Sequence, residues 1–476
     1  YFVDPEVSTN QPNQYHLFLS SANWRRLHSW TNAGRVSGSQ PNPTWNNEVP
    51  ATFVSLGQVF DVTVRHQGSR WNRRGGSNIS FDCPSHQNGS AQVRSWRVRF
   101  PSYRNWDGLD IIHLQKQSGW PQRISFKMFE LAGVPSPRTS WSDLRINGCQ
   151  FNRDAFQIER PGKDLVGRWY DEVGDLFKSQ GYTGDEGPWS WGDARLIRGT
   201  RNRFSESERY EYTFNRKTLG WKNQPEDGKP DIVEPMIEAL HAARGRGPQA
   251  LRQWLSENFD VDQTLRYICT INYVGTFDDM FQNHFLYRKA EDNKWCMLPW
   301  DMDNTLGGAF GQWNANPFRG AEERRVGNVG NRSGWWNRIK DSFFIAYEQE
   351  FLSMFHQLNN TVHSPENLRP VIEAIAAEGG RSGNVNSLMN HIQRRHDYLN
   401  SFIEPRLSPP LLALSLDAGN IVLQWSEGRT DFNLEAAASL FGPWRSVSEG
   451  QNVRQDTPTS YTVLPNQAQS FFRLSR

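Results

Sequence analysis

The 476-residue chain has no run of about 18 apolar residues, so none of its helices is expected to cross a bilayer. Cysteine is scarce: Cys83, Cys149, Cys269 and Cys296 are too few and too scattered for a disulfide scaffold or a zinc ribbon. Their pairing does not follow from the sequence, and Cys269 and Cys296 read either as buried free thiols or as one bridge. Charge of one sign is lacking too. Lys and Arg total 53 against 51 Asp and Glu, a net charge of +2 that supplies no polyanion-binding tail and argues against nucleic acid as a partner. Local groupings such as Arg195, Arg198, Arg201 and Arg203 read as solvated surface or structural ion pairs. His-Glu-x-x-His, Gly-x-Ser-x-Gly and a Walker loop are all missing, which counts against hydrolases and ordinary nucleotidases. No initiator methionine or apolar leader stands at Tyr1-Phe2-Val3-Asp4-Pro5, so the expectation is a processed chain or a piece of a longer one.

What is present is length and aromatic mass. The chain is too long for one hydrophobic core, and it carries 20 Trp, 28 Phe and 13 Tyr. Residues 1–50, rich in Asn, Pro and Ser, read as an arm wrapped around the body. Polar and apolar residues alternate over Thr52–Arg65 and Val93–Phe100, which predicts antiparallel strands. The glycine-rich turn between them, with Gly68 and Arg73 to Ser77, lacks the spacing of a phosphate-covering loop. A helix over Ile124–Ala132 ends at Gly133, and further strands follow at Leu144–Gly148, Phe156–Glu159 and Gly174–Lys178. Residues 179–230, with Trp189 and Trp191, read as an insertion or a long connection. Apolar spacings of three and four then predict helices at Val233–Ala243, Pro248–Asn258, Thr264–Tyr273, 336–358, 365–378 and 385–403. Pro405, Pro409 and Pro410 mark a linker, beyond which residues 411–476 alternate as a small β-sandwich would.

The chemistry concentrates where the helices meet a hairpin. Asp278 is followed five residues later by Asn283, and the strands His284–Arg288 and Lys294–Pro299 then deliver Trp300-Asp301-Met302-Asp303. A carboxylate, an amide and a second carboxylate after a short hairpin is the order in which protein kinases place a base and two metal ligands. Phosphoryl transfer needs one carboxylate to orient the acceptor hydroxyl, and an amide oxygen with another carboxylate to hold hard Mg²⁺ against the phosphates. Asp301, Asp303 and Asn304 are also an oxygen-only set that would suit Ca²⁺, although the loop has no glycine at the sixth position and no glutamate at the twelfth.

The run Asn272-Tyr273-Val274-Gly275-Thr276-Phe277-Asp278, with Asn283, Leu286-Tyr287-Arg288 and Pro299-Trp300-Asp301-Met302-Asp303, resembles the signature of CotH-type kinases, the spore coat protein H family. Upstream, Arg65 with Gly68-Ser69, Arg94 to Phe100, Gly133-Val134-Pro135, Ile146-Asn147-Gly148 through Glu159, and Leu176-Phe177-Lys178 follow the family's order. The resemblance implies an α+β, atypical protein-kinase-like fold, an antiparallel sheet lobe plus a helical lobe, over residues 51–404. It also implies ATP with Mg²⁺ or Mn²⁺, and serine on a secreted or coat protein as acceptor. Asp278 would be the catalytic base, Asn283 and Asp301 the metal ligands, and Asp303 a supporting carboxylate. Where the family's basic strand carries lysines this chain has Arg94, Arg97 and Arg99, and arginine's planar fork is not equivalent to an ammonium. Arg94, Arg97, Lys127 and Lys178 are therefore the candidate phosphate cations, with Glu159 as a salt-bridge partner. The last 66 residues resemble fibronectin-III-like repeats in Leu434-Glu435-Ala436, Gly442-Pro443-Trp444 and Phe471-Phe472-Arg473, which points to a secreted or cell-surface location. Two functions remain: a serine kinase, or a surface binding protein that keeps the fold without turnover.

Overall fold

Alternation of polar and apolar residues builds the first half of the chain into strands, and a 3.6-residue apolar repeat builds the second half into helices. The computed structural model describes residues 14–32, 47–67, 95–115, 119–152, 155–179, 214–218, 232–276, 279, 283–307, 312–321, 337–378, 385–407, 412–417, 420–425, 432–437, 443–447, 453–457, 459–463 and 471–475. The glycine-rich turn, Cys83, Arg94, Asp278 and the tryptophans of the 179–230 insertion lie outside the described residues.

β1 (Gln14–Phe18) leads into α1 (Ser21–Asn32), where the Ser20 hydroxyl accepts the Asn23 amide at 3.1 Å and so caps the helix. β2 (Val49–Ser55) and β3 (Gln58–Gln67) form a hairpin, followed by β4 (Ser95–Arg99) and β5 (Ile111–Gln115). α2 (Gly119–Leu131) ends in a Schellman motif. Gly133 takes φ 77°, its amide reaches Glu130 O, and the Val134 amide reaches Phe129 O at 2.9 Å. β6 (Thr139–Trp141), β7 (Asp143–Ile146), β8 (Cys149–Asn152) and β9 (Phe156–Ile158) complete a nine-stranded sheet of order β6-β9-β5-β4-β3-β2-β1-β7-β8. Its strands are antiparallel except for β1 beside β7.

After the short α3 (Lys163–Gly167), β10 (Asp175–Ser179) and β11 (Phe214–Arg216) open a second sheet. α4 (Val233–Gly245), α5 (Pro248–Asn258) and α6 (Val261–Val274) precede β12 (His284–Arg288) and β13 (Trp295–Pro299), giving the strand order β11-β10-β12-β13. α7 (Arg338–Ala346), α8 (Glu348–Asn360), α9 (Pro365–Glu378) and α10 (Val385–Ile403) follow. One core joins these helices, α2 and the second sheet, while another lies between the first sheet and α1 around Trp24, Phe53 and Trp96. In the C-terminal part, β14 (Ala413–Asp417), β15 (Asn420–Gln424), β16 (Asn433–Ala437), β17 (Arg445–Ser446), β18 (Val453–Thr457), β19 (Ser460–Val463) and β20 (Phe471–Ser475) form the sheets β14-β15-β19-β18 and β17-β16-β20. Leu423 and Trp425 from the first share a small apolar cluster with Leu434 of the second.

The architecture is α+β, as expected, with three local differences. Part of the N-terminal arm is an interior strand: β1 sits between β2 and β7, and Gln14 and His16 are buried along with Tyr15 and Leu17. Five alternating residues amid Asn and Pro gave little to read, and the β7 partner lies far away in sequence. The alternation over Thr52–Arg65 spans a turn, because Leu56 and Gly57 both adopt positive φ, 48° and 71°, as a two-residue I′ turn requires. The helix expected over 336–358 is two helices meeting at Tyr347, whose φ of -137° breaks the run.

Leu56 pays for that turn with a left-handed conformation that a leucine resists, and its side chain is 44% exposed. Leu56→Asn is expected to stabilise the protein by about 0.5–1 kcal/mol, because asparagine tolerates this region. Gly57→Val, where a Cβ would meet nothing within 4 Å, should cost about 1–2 kcal/mol from backbone strain alone. Urea unfolding midpoints of the two variants moving in the same direction would contradict this account of the turn.

Candidate functional site

α6 is built to end at a defined point. Asp260 caps its start by accepting the Gln263 amide at 3.0 Å, and Gly275, at φ 81°, closes its end with a bond to Ile271 O. The segment that follows is pinned through Asp279, a fully buried carboxylate. Lys340 of α7, also fully buried, donates from Nζ to Asp279 Oδ2 and to Asn272 Oδ1, each at 2.8 Å. His284 Nδ1 lies 3.0 Å from the Asp279 carbonyl. Asn272 in turn donates to Pro317 O at 2.6 Å, and Arg395 of α10 donates to the carbonyls of Asn272, Tyr273, Trp313 and Ala315. Sequence reasoning passed over Asp279 and Lys340. The spacing to Asn283 singled out Asp278, and a lysine inside a helical repeat carries no mark of burial.

The hairpin brings two of the expected ligands together. Its last strand pair is His284 with Pro299, and one step further the Trp300 amide donates to Asn283 O at 3.1 Å. Asn283 and Asp301 therefore flank one strand end, both in the left-handed region at φ 61° and 55°. Such strain is tolerated by Asn and Asp and concentrates at functional sites. Asp301 is half-buried and ringed by protein atoms; burial raises its pKa, and the charge of Lys178 opposes the rise. Among the described residues it makes no hydrogen bond or ion pair. Asp303, also half-buried, accepts from Asn304 at 2.9 Å. The loop then returns to the helical core: Thr305 Oγ1 donates to Met302 O at 2.8 Å, and the Leu306 amide reaches Val274 O.

The cation candidates separate into two groups. Arg65, Arg97 and His113 stand opposite one another on β3, β4 and β5, so their side chains share one face of the sheet. Arg97 is ion-paired with Glu48; burial, then the charge of Arg65, lowers its pKa to about 10. Burial holds His113 well below its usual range, helped by Arg97, Arg65, Arg160 and Lys178. Lys178, opposite Phe285 in the register of β10 with β12, has its ammonium 5.7 Å from the Trp300 ring centroid. Its charge thus acts both on the basic row and on Asp301. Lys127 is elsewhere in its interactions, in a surface pair with Glu130 at 2.8 Å. Glu159 is a salt-bridge partner, but of Arg168, at 2.7 Å, and it also accepts the Arg138 amide. Cys269 and Cys296 are buried free thiols.

Hard oxygen donors from an amide and a carboxylate suit a divalent cation whose remaining ligands are phosphate oxygens and water. No group of three His, Cys, Asp or Glu side chains among the described residues would hold a metal by itself. No described helix is long and apolar enough to cross a membrane.

The family model described as CotH kinase protein matches residues 73–407, most of the chain, and the chain belongs to that family. The match begins after β3 and ends just past α10. The chain is also similar to the inner spore coat protein H of Bacillus subtilis (strain 168), at 21% identity over 271 residues covering 55% of this chain. It spans 64% of that relative's length.

Removing one partner of a buried ion pair strands the other charge, at a cost of about 3–5 kcal/mol. Lys340→Met is therefore expected to lower stability by that amount in chemical denaturation. Lys340→Met with Asp279→Leu should recover part of it; a single variant as stable as the wild type would show that the cluster does not anchor this segment.

Proposed function

We propose that this member of the CotH family is a protein serine kinase that uses ATP. The carrying observation is the placement of Asn283 beside Asp301 at the hairpin end, with the charge of Lys178 reaching Asp301 from the adjacent strand. The nine-stranded sheet would be the lobe that covers the nucleotide, and the second sheet with its helices the catalytic lobe. Asn283 and Asp301, supported by Asp303, would hold Mg²⁺ or Mn²⁺, which when bound neutralises charge on the β- and γ-phosphates. Lys178 would offset the rest of the phosphate charge.

Asp278 follows the α6 cap by three residues and, one position before the anchored Asp279, would orient the serine hydroxyl. The serine oxygen bonds to the γ-phosphorus as the bond to the bridging oxygen breaks. ADP leaves with that electron pair and the hydroxyl proton passes to the Asp278 carboxylate. The acceptor would be a serine-bearing secreted or surface protein, in keeping with a coat-protein relative. The C-terminal sheets would form a fibronectin-III-like β-sandwich serving attachment.

A second reading, a binding protein without turnover, draws support from two ion pairs. Arg97 is engaged by Glu48, and Glu159 by Arg168, so neither is held ready for a lysine or a phosphate.

Nucleotide binding and intact mass after incubation with ATP and Mg²⁺ or Mn²⁺ separate the two readings. Wild type is expected to bind ATP and acquire phosphate. Asp278→Ala should lower transfer by at least about 100-fold while still binding nucleotide, and Asp301→Asn should lose the metal dependence of binding. ATP bound without transfer to itself or to any serine peptide favours the second reading, and no nucleotide binding removes the first.

A further inference from the structure

Two residues past Asp303 the loop becomes one wall of a cleft of about 550 Å³, a size typical of ligand sites. Trp120, from the start of α2, and Leu306 make its apolar side. Ser387, His391 and Arg394 of α10, spaced four and three apart on one helix face, make the polar side. Among the described residues no acidic side chain lines it. Arg394 is exposed and lies 4.1 Å from the Trp313 ring centroid, and among the described residues no carboxylate is paired with it. Burial, with Arg395 and Arg394 close by, lowers the pKa of His391 to about 4, so its ring is neutral at ordinary pH. Gly307, at φ 92°, lets the loop sit against that ring: a Cβ there would stand 3.3 Å from His391 Nδ1.

Among its described lining residues the cleft has one cation, neutral polar groups and an indole wall, a combination complementary to an acidic side chain next to an apolar one. A bare phosphate would leave the apolar wall unused. Thr305 is four positions after Asp301, so the cleft begins at most about 14 Å from the proposed metal-ligand position, a span that an extended peptide covers in about four residues.

We propose that this cleft docks the protein acceptor through an extended segment that sets an acidic side chain on Arg394 and an apolar one against Trp120 and Leu306. The segment lies within about four residues of the phosphorylated serine. The inference rests on the kinase reading and names the substrate class it would select.

The test is fluorescence anisotropy of labelled serine peptides carrying a Glu-Leu pair, or Lys-Leu in its place, on the full chain without nucleotide, with phosphoryl transfer to the same peptides followed separately. The Glu-Leu peptide is expected to bind about tenfold more tightly, and Arg394→Glu should abolish or invert the preference. Ser387→Glu adds a carboxylate at an exposed position without removing packing, so it should weaken binding in the same direction while the thermal melt stays unchanged. Equal binding of the two peptides, or a preference that neither variant alters, overturns the docking site even where transfer occurs. Selective binding with no transfer to any peptide instead sinks the kinase reading and leaves the cleft a site for acidic segments.

Discussion

Lys340 carries its ammonium into the interior beside the end of α6, where an unpaired charge would cost several kcal/mol. Its burial is tolerated because Asp279 and Asn272 both accept from it at 2.8 Å. Desolvation lowers the Lys340 pKa, and the Asp279 charge opposes that. The arrangement allows little freedom. Asp279 Oδ1 has no hydrogen-bond partner among the described residues, so displacing the lysine would leave the whole carboxylate stranded. Arg395 repeats the device a turn away, binding four carbonyls while burial lowers its pKa to about 9. Together the two cations tie α6, α7, α10 and the 312–321 segment to one another and to Asp279.

That rigidity gives meaning to the strain at the hairpin end. Asn283 and Asp301 sit in a backbone region that costs of order 1 kcal/mol apiece, and they remain there because β12 and β13 are locked by five paired residues and by the Trp300 amide. Asp301 is then an acid whose burial disfavours its charge, standing where a cation would restore it. Lys178 is the link between this point and the basic row on the first sheet. The same loop passes from Asp303 through Thr305 to the wall of the α10 cleft, so the proposed metal ligands and the proposed acceptor cleft share one short, tethered piece of backbone.

Membership of the CotH family makes this assembly intelligible as a phosphoryl-transfer site, while two of its parts depart from a lysine-based design. An arginine that already serves Glu48 is less available to a phosphate than an unpaired ammonium would be, and Glu159 is committed to Arg168. On the proposed kinase reading, Lys178 would therefore carry most of the phosphate charge among the described cations.

Much of this could be read along the chain, because local physics governs it. The strands of the hairpin at His284–Arg288 and Trp295–Pro299, the helix ending at Gly133, and the helices at Pro248–Asn258, 365–378 and 385–403 have periodicity and turn residues written within a few positions. That Asn283 and Asp301 lie side by side was legible for the same reason, since a short hairpin dictates which residues meet at its open end. What lay beyond reading was set by partners distant in sequence. β1 became an interior strand through β7, over a hundred residues away. Lys340 was chosen by Asp279 and not by its own helix, Arg168 claimed Glu159, and the cleft exists only because α2, the Asp303 loop and α10 converge. Charge pairing and burial act through space, so only the tertiary structure decides which of many equivalent lysines, arginines and carboxylates is enclosed and which remains in water.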